Sequence, residues 1–102
     1  MKIEDLFENL DHKCSVSGEG LVSGMEQEPN VFYAETKSEF DKSKLEVIIK
    51  GPKQKRIRTE SVLLKYNCCQ YTYWPRKNGV YTIYITWEGK PVLGSPFSIA
   101  IY

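Results

Sequence analysis

Long apolar runs, excess charge of one sign and cysteine are all scarce in this chain of 102 residues. No apolar stretch approaches the roughly 18 residues that a membrane span requires. The first residues, Met1-Lys2-Ile3-Glu4-Asp5-Leu6, carry acid where a secretory leader carries base. The expectation is a cytoplasmic protein, neither exported by itself nor inserted in a membrane. Three cysteines cannot all pair within one chain, and no Asn-x-Ser/Thr acceptor occurs, so Cys14, Cys68 and Cys69 are expected as reduced thiols. His12, Cys14, Cys68 and Cys69 together offer four zinc ligands, but neither cluster has the C-x₂-C spacing. Adjacent strand residues such as Cys68 and Cys69 also point to opposite faces. No metal and no cofactor are expected. Fourteen basic against 13 acidic side chains leave a net charge of +1, too little for bulk nucleic-acid binding. His12 is the only histidine and precedes the expected core. A Ser-His-Asp or Cys-His arrangement therefore has no base inside the domain, and no phosphate loop or facing carboxylate pair is evident, so enzymatic activity is not expected.

What the chain does contain is β-favouring sequence. The length suits one domain, and the seven tyrosines fall mostly in short segments rich in Val, Ile and Thr. Turn signals recur about every ten residues, among them Gly18-Glu19-Gly20, Pro29, Gly51-Pro52, Asn67, Pro75, Asn78-Gly79, Glu88-Gly89 and Gly94-Ser95-Pro96. Between them the spacing predicts seven strands, 13–17 (A), 30–36 (B), 44–50 (C), 56–60 (D), 69–74 (E), 79–87 (F) and 96–102 (G). The fold class is all-β, a sandwich of antiparallel strands. Period-two alternation sends Phe32, Ala34, Leu45, Val47, Ile49, Tyr71, Tyr73, Tyr81, Ile83, Ile85, Phe97, Ile99 and Ile101 inward, and Thr82, Tyr84 and Thr86 towards water. Ahead of the sandwich (13–102), residues 1–12 form a lead or linker. There Ile3, Leu6, Phe7 and Leu10 share one stripe of a short N-terminal helix, which either docks or frays. The chain stops on a strand residue, which suggests a module cut from a longer array.

Several strings in series carry a resemblance. Gly18-Glu19-Gly20-Leu21, Glu28-Pro29 before Phe32, and Leu45-Glu46-Val47 leading to Gly51-Pro52 are followed by Tyr73-Trp74-Pro75, Gly79-Val80-Tyr81-Thr82-Ile83 and Gly94-Ser95-Pro96-Phe97. In order and spacing these resemble the filamin-type immunoglobulin-like repeat. Two departures mark a divergent member. The segment Lys37 to Ser43 replaces a Gly-rich loop, and Ser61-Val62-Leu63-Leu64-Lys65-Tyr66-Asn67 stands where the family has a short Asp-Gly turn. Its apolar part is either an extension of strand D or an exposed contact patch, and Asn67 can take a left-handed conformation in place of the glycine. Gly18 and Gly20 suit backbone angles that side chains forbid. Tyr81 is placed for a tyrosine-corner hydrogen bond.

The resemblance implies a non-catalytic interaction or scaffolding module, of the kind found in cytoskeletal proteins, that binds a partner peptide by strand addition along strands C and D. Carried over residue by residue, the groove comprises Leu45 and Val47 on strand C with Ile57 and Thr59 on strand D. The alternative is a structural spacer, or a repeat that packs on neighbouring repeats or dimerises, in a larger cytoskeletal or ubiquitin-ligase protein. Independently of the resemblance, Lys53-Gln54-Lys55-Arg56-Ile57-Arg58 packs four basic residues into six. Lys55, Arg56 and Arg58 are expected to bias the site towards acidic partners; the plainer reading is a solvated loop that protects a strand edge. Nuclear import or nucleic-acid binding is the sharper alternative for that run, but no nucleic-acid partner is expected.

Overall fold

A computed structural model describes residues 13–102, and the predicted helix over Ile3 to Leu10 and the candidate ligand His12 lie outside them. Alternating side chains fold the chain into two facing sheets. One has the order β1-β3-β7-β6 and is antiparallel throughout, built from Cys14–Ser17 (β1), Asn30–Thr36 (β3), Glu60–Lys65 (β6) and Cys68–Tyr73 (β7). The other has the order β2-β10-β8-β4-β5, with β9 added beside β8. It uses Ser23–Gly24 (β2), Leu45–Lys50 (β4), Arg56–Ile57 (β5), Gly79–Trp87 (β8), Lys90–Pro91 (β9) and Phe97–Ile101 (β10). Each predicted segment contains a strand. The short β2 runs parallel to β10, so the second sheet is mixed rather than purely antiparallel.

The inward set is the one that alternation selects. Phe32, Ala34, Cys69, Tyr71 and Tyr73 of the first sheet meet Ile49, Tyr81, Ile83, Ile85, Ile99 and Ile101 of the second, all buried, with Leu45, Val47 and Phe97 packed at the margin. Phe32 stacks on Tyr71 with ring centroids 5.3 Å apart and planes 8° from parallel, an arrangement that adds to the simple burial of area. The Tyr73 hydroxyl donates to the Gly20 carbonyl, so a buried phenol keeps a partner. Phe40, from the loop between β3 and β4, tilts against Trp87 at 5.7 Å and closes one pole of the sandwich.

Two turns explain their sequences. Gly18 needs its positive φ of 124°, whereas Gly20 is required by space, because a Cβ there would sit 2.7 Å from the Val31 carbonyl oxygen. Between β8 and β9, Glu88 (φ 51°) and Gly89 (φ 81°) both take left-handed angles, the signature of a two-residue type I′ hairpin.

The predicted strand D requires the main correction. Arg56 and Ile57 pair with Lys50 and Ile49 of β4, but at Arg58 and Thr59 the chain leaves that sheet, and Glu60–Lys65 joins the other one beside β7. Thr59 therefore lies on no strand and sits in the crossover. The alternation of Ile57, Thr59 and Ser61 runs unbroken through the crossover, so periodicity alone cannot reveal the change of sheet. Val62, Leu63 and Leu64 belong to a strand, with a register irregularity between Leu63 and Lys65. Asn67 is not among the residues with positive φ. It forms the turn instead by hydrogen bonding, its side-chain amide donating to the Thr36 carbonyl at 2.8 Å while its own carbonyl accepts from the Thr36 amide at 2.9 Å.

Burial has a consequence for alkaline stability. It lifts the Cys14 thiol from an ordinary 9.0 to about 11 and the Tyr73 phenol from 10.0 to about 12. Tyr71 is also pushed up, by burial first and by its neighbour Cys69 second. The unfolded chain ionises before the folded one. The stability is thus present in full below pH 9.0 and falls as the pH rises towards about 11, with Cys14 contributing a slope of up to about 1.4 kcal/mol per pH unit. Urea unfolding across this window should show a falling midpoint; a constant one would contradict the placement of Cys14.

Candidate functional site

The β4–β5 edge of one sheet and the β6 edge of the other are joined by only two residues, Arg58 and Thr59, which sets them on the same side of the sandwich. β4 pairs with β8 along its whole length, from Leu45 opposite Trp87 to Lys50 opposite Thr82. On its other side β5 covers only Ile49 and Lys50. Among the described residues no strand pairs with Leu45 to Ile48 on that side, which leaves their outward backbone groups free to accept another strand.

The predicted groove residues fall in different places. Leu45 and Val47 are half-buried and pack on the core, forming the inner wall below the free edge of β4. Ile57 also packs on the core, but within β5, where it ends that free stretch instead of facing it. Thr59 is half-buried in the crossover between the sheets. The wall facing β4 from the other sheet is therefore β6. It exposes Val62, Leu63 and Leu64 at 56%, 58% and 52% of their surface, so apolar side chains meet water on both faces of the strand. The sequence had flagged these three as an anomaly without placing them.

Lys55, Arg56 and Arg58 lie together at the far end of this edge, on the rim of a cavity of about 650 Å³. Its floor and walls are Gly51, Pro52, Ile57, Trp74 and Tyr81. Lys53 joins the rim from the same loop. Arg76 and Lys77 come from the loop between β7 and β8. These last two, and Trp74, were missed in the sequence, because they stand about twenty residues from the basic run and only the closure of the sandwich brings them to it. Tyr81 braces this corner. Its hydroxyl donates to the Lys77 carbonyl at 2.6 Å and accepts from the Lys77 amide at 3.4 Å, as the expected tyrosine corner requires.

Cys14, Cys68 and Cys69 are free and buried, and burial raises the Cys69 thiol as it does Cys14, which disfavours the nucleophilic thiolate. Among the described residues no group of three or more His, Cys, Asp or Glu side chains is placed to hold a metal ion. No helix among them is long and apolar enough to cross a membrane.

Residues 11–98 match the Filamin/ABP280 repeat family. The chain belongs to that family. Among solved structures, the crystal structure of the Lin-41 filamin domain resembles this filamin repeat with a TM-score of 0.79, covering 88% of this chain and 92% of that one at 18% identity. At that identity the likeness is one of fold: a shared immunoglobulin-like sandwich, with any site carried by each chain's own residues. Filamin repeats are interaction or structural modules, which agrees with a site made of a strand edge and a surface cavity.

Replacing Tyr81 by Phe in this filamin repeat keeps the cavity floor and removes the bond to Lys77. Stability should fall by about 1 kcal/mol, and the Lys77 amide should exchange faster with solvent. Unchanged exchange at Lys77 would argue against the corner.

Proposed function

We propose that this filamin repeat is a non-catalytic scaffolding module of the cytoplasm that takes a segment of a partner protein as an added strand along β4. The observation that carries this reading is the four-residue stretch Leu45 to Ile48, paired on one side only. An incoming strand would satisfy those backbone groups while its alternate side chains enter the groove between β4 and β6. Leu45 and Val47 form the floor, the exposed Val62 to Leu64 strand lends the opposite wall, and Ile57 ends the groove. Lys55, Arg56 and Arg58 stand just beyond it and favour acid at that end of the partner. Such a module needs no bound cofactor.

The test is a nuclear magnetic resonance titration of the full chain with peptides selected from a random display library. The amides of Leu45 to Ile48 should shift and exchange more slowly as peptide is added. Selected peptides that leave these four amides unmoved would refute strand addition at β4.

A second reading is favoured by β6 itself, which is an edge strand with three exposed apolar residues in a row. Long apolar edges tend to pair with another edge. If β6 is a self-association surface, sedimentation should reveal a dimer that Leu63→Lys dissociates. A clean monomer at high concentration would dismiss this reading.

A further inference from the structure

The cavity beyond the strand edge gathers six of the chain's 14 basic side chains, namely Lys53, Lys55, Arg56, Arg58, Arg76 and Lys77. No Asp or Glu lines it. Elsewhere on the surface cations sit opposite acids: Lys13 and Lys44 both approach Glu88, and Lys65 approaches Glu35. None of the six forms an ion pair with a described residue. In a chain with a net charge of +1, this is a strongly local imbalance. A concave site lined by one sign of charge with apolar walls concentrates the field inside it.

We propose that this cavity binds the phosphate group of a phosphorylated segment of a partner protein. The proposal rests on the peptide-binding reading above in taking the occupant to be a polypeptide. Three observations favour that occupant. Arg56, Arg58 and Arg76 supply guanidinium forks suited to paired hydrogen bonds with a tetrahedral oxyanion. A carboxylate would offset one of the six charges, whereas a phosphomonoester brings a charge of about −1.5 to −2 and three acceptor oxygens.

The second observation is continuity with the free edge. Ile57 lines the cavity and pairs with Ile49, the residue that follows the free stretch of β4. An extended chain advances about 3.3 Å per residue, so a strand lying on Leu45 to Ile48 reaches the basic rim a few residues later. Trp74, 42% exposed, and Pro52 offer apolar wall to the side chains flanking the phosphate.

The third observation is the acidic surround. Glu60 follows Arg58 by two residues, Glu46 is exposed on β4, and the Glu26 carboxylate accepts from the Asn78 amide at 2.9 Å beside Lys77. A polynucleotide, which needs a continuous basic track, would meet these carboxylates on leaving the cavity. A compact anion would not.

The experiment titrates the labelled full chain with N-acetyl-O-phosphoserine methylamide, a probe too short to add as a strand, and in parallel with its unphosphorylated form and inorganic phosphate. The phosphoserine probe should shift the amides of the non-proline residues within 51–58 and 74–77 and leave Leu45 to Ile48 unmoved. The double substitution Arg58→Glu with Arg76→Glu should abolish those shifts. Both residues are exposed, so the fold should persist, and the milder Arg58→Gln with Arg76→Gln should give an intermediate loss. In the second arm, a degenerate peptide library with one central phosphoserine should bind at least about tenfold more tightly than its unphosphorylated counterpart. Absence of shifts at 51–58 and 74–77 would overturn the proposal, as would equal saturation by inorganic phosphate or equal binding of the two libraries. A single-stranded RNA that shifts the same amides at lower concentration than the phosphopeptides would overturn it in favour of a nucleic-acid site. Strand addition is read from Leu45 to Ile48 alone, so its failure and the failure of the phosphate site are separate results.

Discussion

The brevity of β5 is the constraint on which the candidate site depends. Two residues, Arg56 and Ile57, pair with the end of β4 before the chain turns away at Arg58 and Thr59 to join the opposite sheet. Had that pairing continued antiparallel along β4, its outer edge would be sealed and the sandwich would offer a partner no backbone there. The crossover also carries β6 to the edge of the first sheet, opposite β4, which gives the groove two walls. Ile57 anchors the arrangement by packing on the core just before the departure. One short pairing thus sets the length of the free edge, the place of the facing wall and the position of the basic cavity at its end.

That crossover also divides what was legible in the sequence from what was not. The inward set could be read because each inner residue obeys the same period of two, and burial of Phe32, Ile49, Ile83, Ile85 and Ile99 follows directly from it. The tyrosine corner was legible because Tyr81 lies four residues from the carbonyl it binds. The single strand D drawn from Arg56 to Glu60 went astray for the same reason that the core succeeded. Period two says which face a residue takes, and it says nothing about which sheet the strand belongs to. Arg76, Lys77 and Trp74 could not be joined to the basic run at all, since only the tertiary fold brings the two loops together.

Divergence from the usual family pattern is accommodated by local substitutions with visible physical grounds. Asn67, in the turn after β6, is held to Thr36 by three hydrogen bonds rather than by a left-handed backbone. In the loop that replaces the Gly-rich one, Asp41 accepts from both the amide and the hydroxyl of Ser43, contacts that hold its carboxyl below the ordinary range, and Phe40 fills the pole of the core against Trp87. The fold keeps its packing while the surface around β6 becomes more apolar than a solvent-facing strand requires.

The placement of the first and last strands has a mechanical meaning. Cys14 opens β1 opposite Thr36, near the pole closed by Phe40, whereas Ile101 ends β10 opposite Gly79 at the other pole. Tension applied between these two residues runs along the strands. It loads the rungs between β1 and β3, and those between β10 and β8, in shear and together, instead of peeling them open one at a time. A sandwich threaded in this way resists extension through several hydrogen bonds at once, and the open side of β4 lies outside both of these terminal strand pairs.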